Sequence, residues 1–596
     1  MAAKWFIFDS SALIDGMCKS LLSLNPVLKY NSQHKVVFRD EIKGRPRVTI
    51  ISGGGSSHEP AHAAYVGDGM LDAAVCGAVF ASPGVQQILQ GLEHVSSPHG
   101  TLMIVKNYTG DKLNFGLAAE VYQATGKHRV EMVVVQDDVS VPRSRNQKVG
   151  RRGLAGTVLV HKVAGAAASA GSSLTQIAKL AQYVADNTAT IGASLDHCTP
   201  PGQNETISLP RNEIELGMGI HNEPGTRKLS PQPDIITLVD SMLEHLLSLT
   251  DPERAYLDIR ISPRKLPVAL LVNNLGGLSV LEMHAVSHVV ISRLEVTYQI
   301  RPQRIYVGAY LTSLNGPGFS ISLLNLETKA GGPEPSYLLS LLDAPAQCVG
   351  WQPNLANMSI HQLPIDSRVV SGGHAVHSAN VEKIPCKQSS DASLISSLIQ
   401  NIYREIVKQE PDITSFDTLI GDGDCGTTLL SGAKAVLDVV DGEFNDSLSH
   451  LLIGVSKAVM DAMGGTSGAL YGLFFGAFAR SVQEHYKHDQ CLSASSFAQS
   501  AQDALDTLER YTMARKGSRT LMDALIPFVQ SFEAAKQGME ATKELQLSFG
   551  RSTYVGASSG EEGGKKHDIT SGIPDPGACG VVAILVGIYS TFSTTK

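Results

Sequence analysis

An α/β domain over residues 1–340 followed by an all-α domain over residues 391–596 is the fold class the sequence predicts, and three observations predict it. Short, continuous apolar runs, each closed by turn residues, recur through the first part, as buried parallel strands do. From about residue 391 that signal stops, and apolar residues fall at helical spacing instead. Between the two lies a weakly periodic stretch, 341–390, read as a linker.

Val48-Thr49-Ile50-Ile51 is the first strand-like run and opens into a Gly-rich loop. Leu102 to Val105 is the second and leads into Lys106-Asn107-Tyr108-Thr109-Gly110-Asp111. Met132 to Val135 and Val268 to Val272 repeat the pattern, with helical stretches such as Leu174 to Ala185 between them. Strand–loop–helix alternation is the α/β signature. Ser371 to Asn380, inside the linker, is small and polar. Beyond it, Leu394, Ile395, Leu398, Ile402 and Ile406 share one helix face, and similar stripes cover 446–463, 467–484, 495–511, 520–536 and 578–591. Ser558 to Thr570 reads as a surface loop.

Composition narrows the function. With 43% apolar and 18% charged residues the chain has ample side chain to bury, which excludes extensive disorder. Lys and Arg number 49 against 57 Asp and Glu, a net charge of −8, the wrong sign for a general nucleic-acid binder. None of the 8 cysteines forms a CxxC pair, so structural zinc is not expected and the thiols read as reduced. The N-terminus lacks a signal-peptide pattern, and the apolar stretches Ala469 to Ala479 and Val581 to Tyr589 are too short to span a bilayer. A cytoplasmic protein without nucleic-acid or membrane partners is expected.

Five local constellations carry chemistry. Gly53-Gly54-Gly55-Ser56-Ser57-His58-Glu59-Pro60-Ala61-His62 follows a strand directly; its amides can surround a small polar ligand, with a plain strand–helix turn as the alternative. Lys106 and Asp111 could bracket one substrate hydroxyl, Lys orienting it and Asp taking its proton, unless they are a solvated turn. In Gly217-Met-Gly-Ile-His221-Asn-Glu223-Pro-Gly225 a histidine sits in a Gly-lined turn with Glu223 placed to orient it; such an imidazole is either structural or a nucleophile.

Asp417, Asp422 and Asp424 stand on a Gly-spaced turn between helices, and three carboxylates there would repel without a cation. The string begins like an EF-hand, but the twelfth loop position is Ala433, so Mg²⁺ held with nucleotide phosphates fits better than calcium. Met463-Gly464-Gly465-Thr466-Ser467-Gly468 opens a helix and offers amides and hydroxyls to a phosphate; no GK[ST] follows, so it is not a Walker loop. Downstream, Gly517-Ser518-Arg519-Thr520 carries an arginine that could reach a phosphate, and Asp575-Pro576-Gly577-Ala578 opens a helix and could close over a nucleotide.

In their order along the chain, GGGSSHEPAH, VKNYTGD, GMGIHNEPG, GDGDCGTT, MGGTSGALYG and DPGA resemble the single-chain, ATP-dependent dihydroxyacetone kinases, whose animal members are the triokinase/FMN cyclases. The resemblance implies a substrate-binding K domain of two α/β subdomains over 1–340 and a nucleotide-binding L domain, a helical barrel or bundle, over 391–596. It implies that Gly55, Ser56, Ser57 and His58 line the dihydroxyacetone pocket and that Lys106 and Asp111 contact the hydroxyls. His221 would bind the substrate carbonyl carbon as a hemiaminal, with His58 and Asp111 as further catalytic groups. It assigns Asp417, Asp422 and Asp424 to two Mg²⁺ ions between ATP phosphates. Gly423, Cys425, Gly465, Thr466, Ser467, Arg519, Asp575, Pro576 and Gly577 would line the nucleotide site. The family usually has Gly where Ser57 stands and Asp where Ser518 stands.

The activity so implied is ATP-dependent phosphorylation of dihydroxyacetone, and of glyceraldehyde, in a homodimer whose L domains each cover the other chain's K domain. A second implied activity is FAD-AMP lyase, forming cyclic FMN with Mn²⁺ or Co²⁺. The competing reading is a non-enzymatic carbohydrate sensor; fusion of both domains and a complete Asp set favour the enzyme.

Overall fold

A computed structural model describes residues 5–40, 47–144, 150–202, 208–257, 267–327, 332–352, 383–385, 389–443, 447–529, 531–546 and 572–593. The chain divides into two compact units, Met1–Val369 and Val370–Lys596.

The first unit holds two six-stranded sheets. In the first, strands β1 (Leu28–Asn31), β2 (Val36–Arg39), β3 (Thr49–Ser56), β4 (Ala73–Val79), β5 (Thr101–Lys106) and β6 (Val130–Val135) lie in the order β1-β2-β4-β3-β5-β6. The four strands β4, β3, β5 and β6 pair in parallel, as the apolar runs predict. All of β3 and β5 is buried, because helices such as Gly156–Ser169 and Thr109–Ala124 cover the sheet.

The second sheet comprises β7 (Thr188–Ser194), β8 (Ile214–Leu216), β9 (Arg227–Leu229), β10 (Val268–Asn274), β11 (Arg304–Gly308) and β12 (Gly318–Asn325), ordered β11-β10-β12-β7-β8-β9. Here the expectation of parallel strands holds only for β10 with β11. The pairs β10–β12, β12–β7, β7–β8 and β8–β9 are antiparallel. A strand covered on both faces is apolar throughout whichever way its neighbour runs, so the Val268 run carried no information on direction.

The first unit also extends past residue 340. Leu341 and Leu342 are buried in the helix Pro335–Asp343, and Trp351 packs on Tyr306 with ring centroids 4.9 Å apart. Within the expected linker, Leu341, Leu342 and Trp351 therefore belong to the core; 353–382, including Ser371 to Asn380, lies outside the described residues, as does the loop 558–570.

The second unit is all helical among the described residues. Helices Ser389–Ile420, Cys425–Glu443, Leu448–Ala462, Gly465–Asp489 and Ala494–Glu509 pack each on the next, and the last helix, Pro576–Ser593, closes against the first. The ring encloses an apolar cavity of about 800 Å³. The stripe expected over 520–536 is two helices, Met522–Phe528 and Phe532–Ala541. Pro527 lies in the last turn of the first, and the Ser531 side chain caps the second by accepting from the Ala534 amide at 3.1 Å. Pro576–Ser593 is longer than the apolar run suggested: its 18 residues suffice in length and composition to cross a membrane, yet 56% of them are buried within the unit.

Candidate active site

The two sheets of the first unit bring two distant histidines together. β3 ends in Gly55 and Ser56, whose hydroxyl donates to the Gly77 carbonyl at 2.7 Å, and the loop beyond it carries His58. His221 follows β8 in the second sheet, and the two Nε2 atoms lie 3.0 Å apart. His58 Nδ1 faces the Thr312 carbonyl oxygen at 2.9 Å; a carbonyl only accepts, so Nδ1 carries a proton. His221 Nδ1 faces Glu223 Oε1 at 2.8 Å and donates likewise. Two bare lone pairs would then oppose each other across 3.0 Å, so one proton lies between the Nε2 atoms. Burial, with the charges of Lys106 and His221, holds the His58 imidazole well below its ordinary range, so a proton held there is readily given up.

Glu223 fixes the geometry of this pair. Its Oε2 also accepts from the His221 amide at 3.0 Å. Burial raises its carboxyl, but the hydrogen bonds from His221 and the charges of His221 and Arg152 more than offset that and leave it at about 2. Arg152 braces the whole turn: its Nε donates to Asp138 at 2.6 Å and its Nη2 to the Ser140 hydroxyl and the Gly217 carbonyl, both at 2.7 Å.

Lys106 and Asp111 lie close to the same histidine pair. Lys106 closes β5 fully buried, its Nζ 5.6 Å from the centre of the Tyr108 ring, which in turn packs edge-on against His221 at 4.7 Å. Burial pulls the Lys106 ammonium down, opposed by the charges of Asp111, Glu223 and Glu59. Asp111 stands in the first turn of the helix Thr109–Ala124 with Oδ1 buried and unpartnered. Burial raises its carboxyl, against the pull of Lys106, a hydrogen bond from Ser82 and the charge of His221.

Ser57 stands where the family that the sequence resembles usually has glycine. Its φ is 114°, in a region that favours glycine, and its buried hydroxyl has no partner. Ser57→Gly is expected to stabilise the protein by about 1 kcal/mol. Chemical denaturation of both forms checks this; an unchanged or lower midpoint would contradict the strain.

In the second unit the turn between helices Ser389–Ile420 and Cys425–Glu443 carries the acidic cluster. Oxygens of Asp417, Asp422 and Asp424 lie within 4.8 Å of one another, Asp417 buried and the other two exposed. Gly423 and Cys425 belong to the same turn, and Asp417 Oδ2 accepts from the Cys425 amide at 3.0 Å. Three hard oxygen donors at that spacing fit Mg²⁺, which keeps its remaining positions for water or phosphate. Gly465, Thr466 and Ser467 form the first turn of the helix Gly465–Asp489, with Gly465 and Thr466 exposed.

Asp575, Pro576 and Gly577 are in place at the start of the last helix. Asp575 Oδ1 accepts from the Ala578 amide at 2.7 Å, as a helix cap does, and Pro576 takes the first helical position. Burial lifts the Asp575 carboxyl to about 7; Asp523 and Asp417 add to the rise, the Ala578 amide and Arg519 oppose it. Arg519 differs from expectation. Only 1% exposed, it donates to the Leu545 and Ile573 carbonyls at 2.9 and 2.8 Å, so here its guanidinium braces the chain rather than facing solvent.

The structure thus brings together the predicted His58, His221, Lys106 and Asp111, with Glu223 beside His221, and separately the three predicted aspartates. Sequence reading missed Thr312, Arg152, Asp138 and Ser82, which are partners through space and carry no local motif.

Comparison with known proteins identifies the family. Residues 19–350 match the Dak1 domain and residues 419–590 the DAK2 domain. The chain is 43% identical to the dihydroxyacetone kinase of Pichia angusta over 98% of its own length and 97% of that protein's. It is 36% identical to the triokinase/FMN cyclase of Homo sapiens, each chain covered in full. Among solved structures, the dihydroxyacetone kinase of C. freundii in complex with AMP-PNP and Mg²⁺ matches at a TM-score of 0.63 and 29% identity, covering 99% of this chain and 100% of that one. Its native form gives a TM-score of 0.62 at 30% identity, both chains covered in full. With a Dak1 and a DAK2 domain in one polypeptide and relatives alike over their whole length, the chain belongs to the single-chain dihydroxyacetone kinase family, which includes the triokinase/FMN cyclases.

Proposed function

We propose that this chain transfers a phosphoryl group from ATP to dihydroxyacetone, with glyceraldehyde as a second substrate, and that His221 holds the ketone covalently. The observation that carries this reading is the His58–His221 pair, with Nε2 atoms 3.0 Å apart in a pocket shared with Lys106 and Asp111. As His221 Nε2 bonds to the carbonyl carbon, the C=O π bond breaks and His58 delivers the shared proton to the oxygen. The imidazolium left on His221 keeps its Nδ1–H on the Glu223 carboxylate. Asp111 then takes the proton of the hydroxyl that attacks phosphorus. Asp417, Asp422 and Asp424 would hold two Mg²⁺ ions, which neutralise phosphate charge when bound. Gly465, Thr466 and Ser467 would cradle phosphates, and the 575–578 turn would close over the nucleotide.

A coupled assay with ATP, dihydroxyacetone and Mg²⁺ tests the reading. ADP formation is expected; none with any divalent metal would favour a carbohydrate sensor. The pH profile tests the base. Burial raises the Asp111 carboxyl, so kcat/KM should be full above the ordinary carboxylate range and fall as pH drops through the raised value. An acid limb unmoved by Asp111→Asn would remove Asp111 from this role.

The human relative's name motivates a second activity, FAD-AMP lyase, at the same nucleotide site. Cyclic FMN should appear on incubation with FAD and Mn²⁺ or Co²⁺; its absence would remove this activity. A cytoplasmic homodimer belongs to the same proposal; seven free cysteines among the described residues suit a reducing compartment.

A further inference from the structure

His62, the last residue of the GGGSSHEPAH string, has no role in the reaction as derived above. It is buried, and its Nδ1 lies 3.2 Å from the Ser52 hydroxyl. That hydroxyl spends its own proton on the Ile104 carbonyl at 2.6 Å, so toward His62 it can only accept. The imidazole is thereby locked with the proton on Nδ1 and a bare lone pair on Nε2. Nε2 is buried and has no hydrogen-bond partner.

The position of that lone pair is informative. Gly54 has no side chain, and a Cβ built there would stand 3.7 Å from His62 Nε2, 3.3 Å from Asp111 Oδ2 and 3.6 Å from Lys106 Cε. The three polar side chains therefore converge beside the glycine of β3. A buried acceptor left unpaired is costly, so His62 Nε2 calls for an O–H donor. Burial, then the charges of Lys106 and His161, keep His62 neutral, as an acceptor must be.

We infer that His62 is a specificity-determining residue whose Nε2 accepts a hydrogen bond from the substrate hydroxyl that is not phosphorylated. The inference rests on the dihydroxyacetone reading above. A ketone flanked by two hydroxymethyl groups brings two O–H donors, and Asp111 Oδ1 and His62 Nε2 are buried acceptors without a partner. Asp111 serves the reacting hydroxyl and His62 the spectator, with the Lys106 ammonium as donor beside them. An ordered water is the other O–H source that could satisfy Nε2.

Calorimetric titration of the full chain with dihydroxyacetone and with hydroxyacetone, which lacks one hydroxyl, separates the two. The wild type is expected to bind dihydroxyacetone more tightly, and His62→Leu to weaken that binding roughly tenfold or more while leaving hydroxyacetone unchanged. His62→Gln, which keeps an acceptor, should recover part of the difference. Ser52→Ala leaves the imidazole in place but frees its tautomer, and should reduce the same preference even if His62→Leu does not fold. An equal loss for both ligands would assign His62 to a structural water and overturn the inference, as would no loss for either. A wild type that neither binds nor phosphorylates dihydroxyacetone would instead defeat the underlying reading, before any variant is compared.

Discussion

Asp422→Ala and Asp424→Ala are each expected to lower ATP-dependent phosphorylation by roughly 10³-fold or more, because several kcal/mol of charge neutralisation at the phosphates goes with the carboxylate. Cyclic FMN formation should be lost with it. Both side chains are exposed and stand within 4.8 Å of other carboxylate oxygens. Removing one relieves repulsion in the metal-free protein, so stability should hold or rise. Dihydroxyacetone binding should be spared, since every pocket residue named above lies in the first unit. Thermal unfolding and titration with dihydroxyacetone provide those controls. A variant with near-normal turnover would show that these carboxylates are not the metal ligands.

His221→Ala is expected to cut kcat/KM for dihydroxyacetone by roughly 10²-fold or more, since a three-carbon substrate offers few groups to grip and loses its one covalent anchor. The distinctive outcome concerns selectivity. Glycerol has no carbonyl to capture, so under covalent capture discrimination against it would rest on His221, and the variant should discriminate poorly. Comparing the two substrates in wild type and variant checks this. An alanine variant that still strongly preferred dihydroxyacetone would rule out covalent capture as the source of selectivity.

What could be read from the sequence was whatever is local. The Val48 to Ile51 run announces β3 because β-branched residues suit a doubly covered strand, and the three aspartates lie within eight residues of one another. Glu223 was legible as the orienter of His221 because it follows two positions on. The pairing of His58 with His221 was not, because they are 163 positions apart and the contact depends on how two sheets meet. Thr312, which fixes the His58 tautomer with a backbone carbonyl, has no side-chain signature for that role at all. Arg519 shows the converse: a basic residue in a plausible loop reads as a phosphate ligand, and only the fold shows its guanidinium bonded to two carbonyls. The helix break just past Pro527 was not legible, because the apolar stripe on either side of it masked the stop.

The central claim is that the ketone is carried on the His221 imidazole, and carbon-13 NMR of the full protein with dihydroxyacetone labelled at its carbonyl carbon tests it most directly. The bound carbon is expected to leave the ketone range for that of a tetrahedral carbon bearing nitrogen and oxygen, in wild type but not in His221→Ala. A bound signal that stays in the ketone range, in protein that phosphorylates the substrate, would contradict covalent capture.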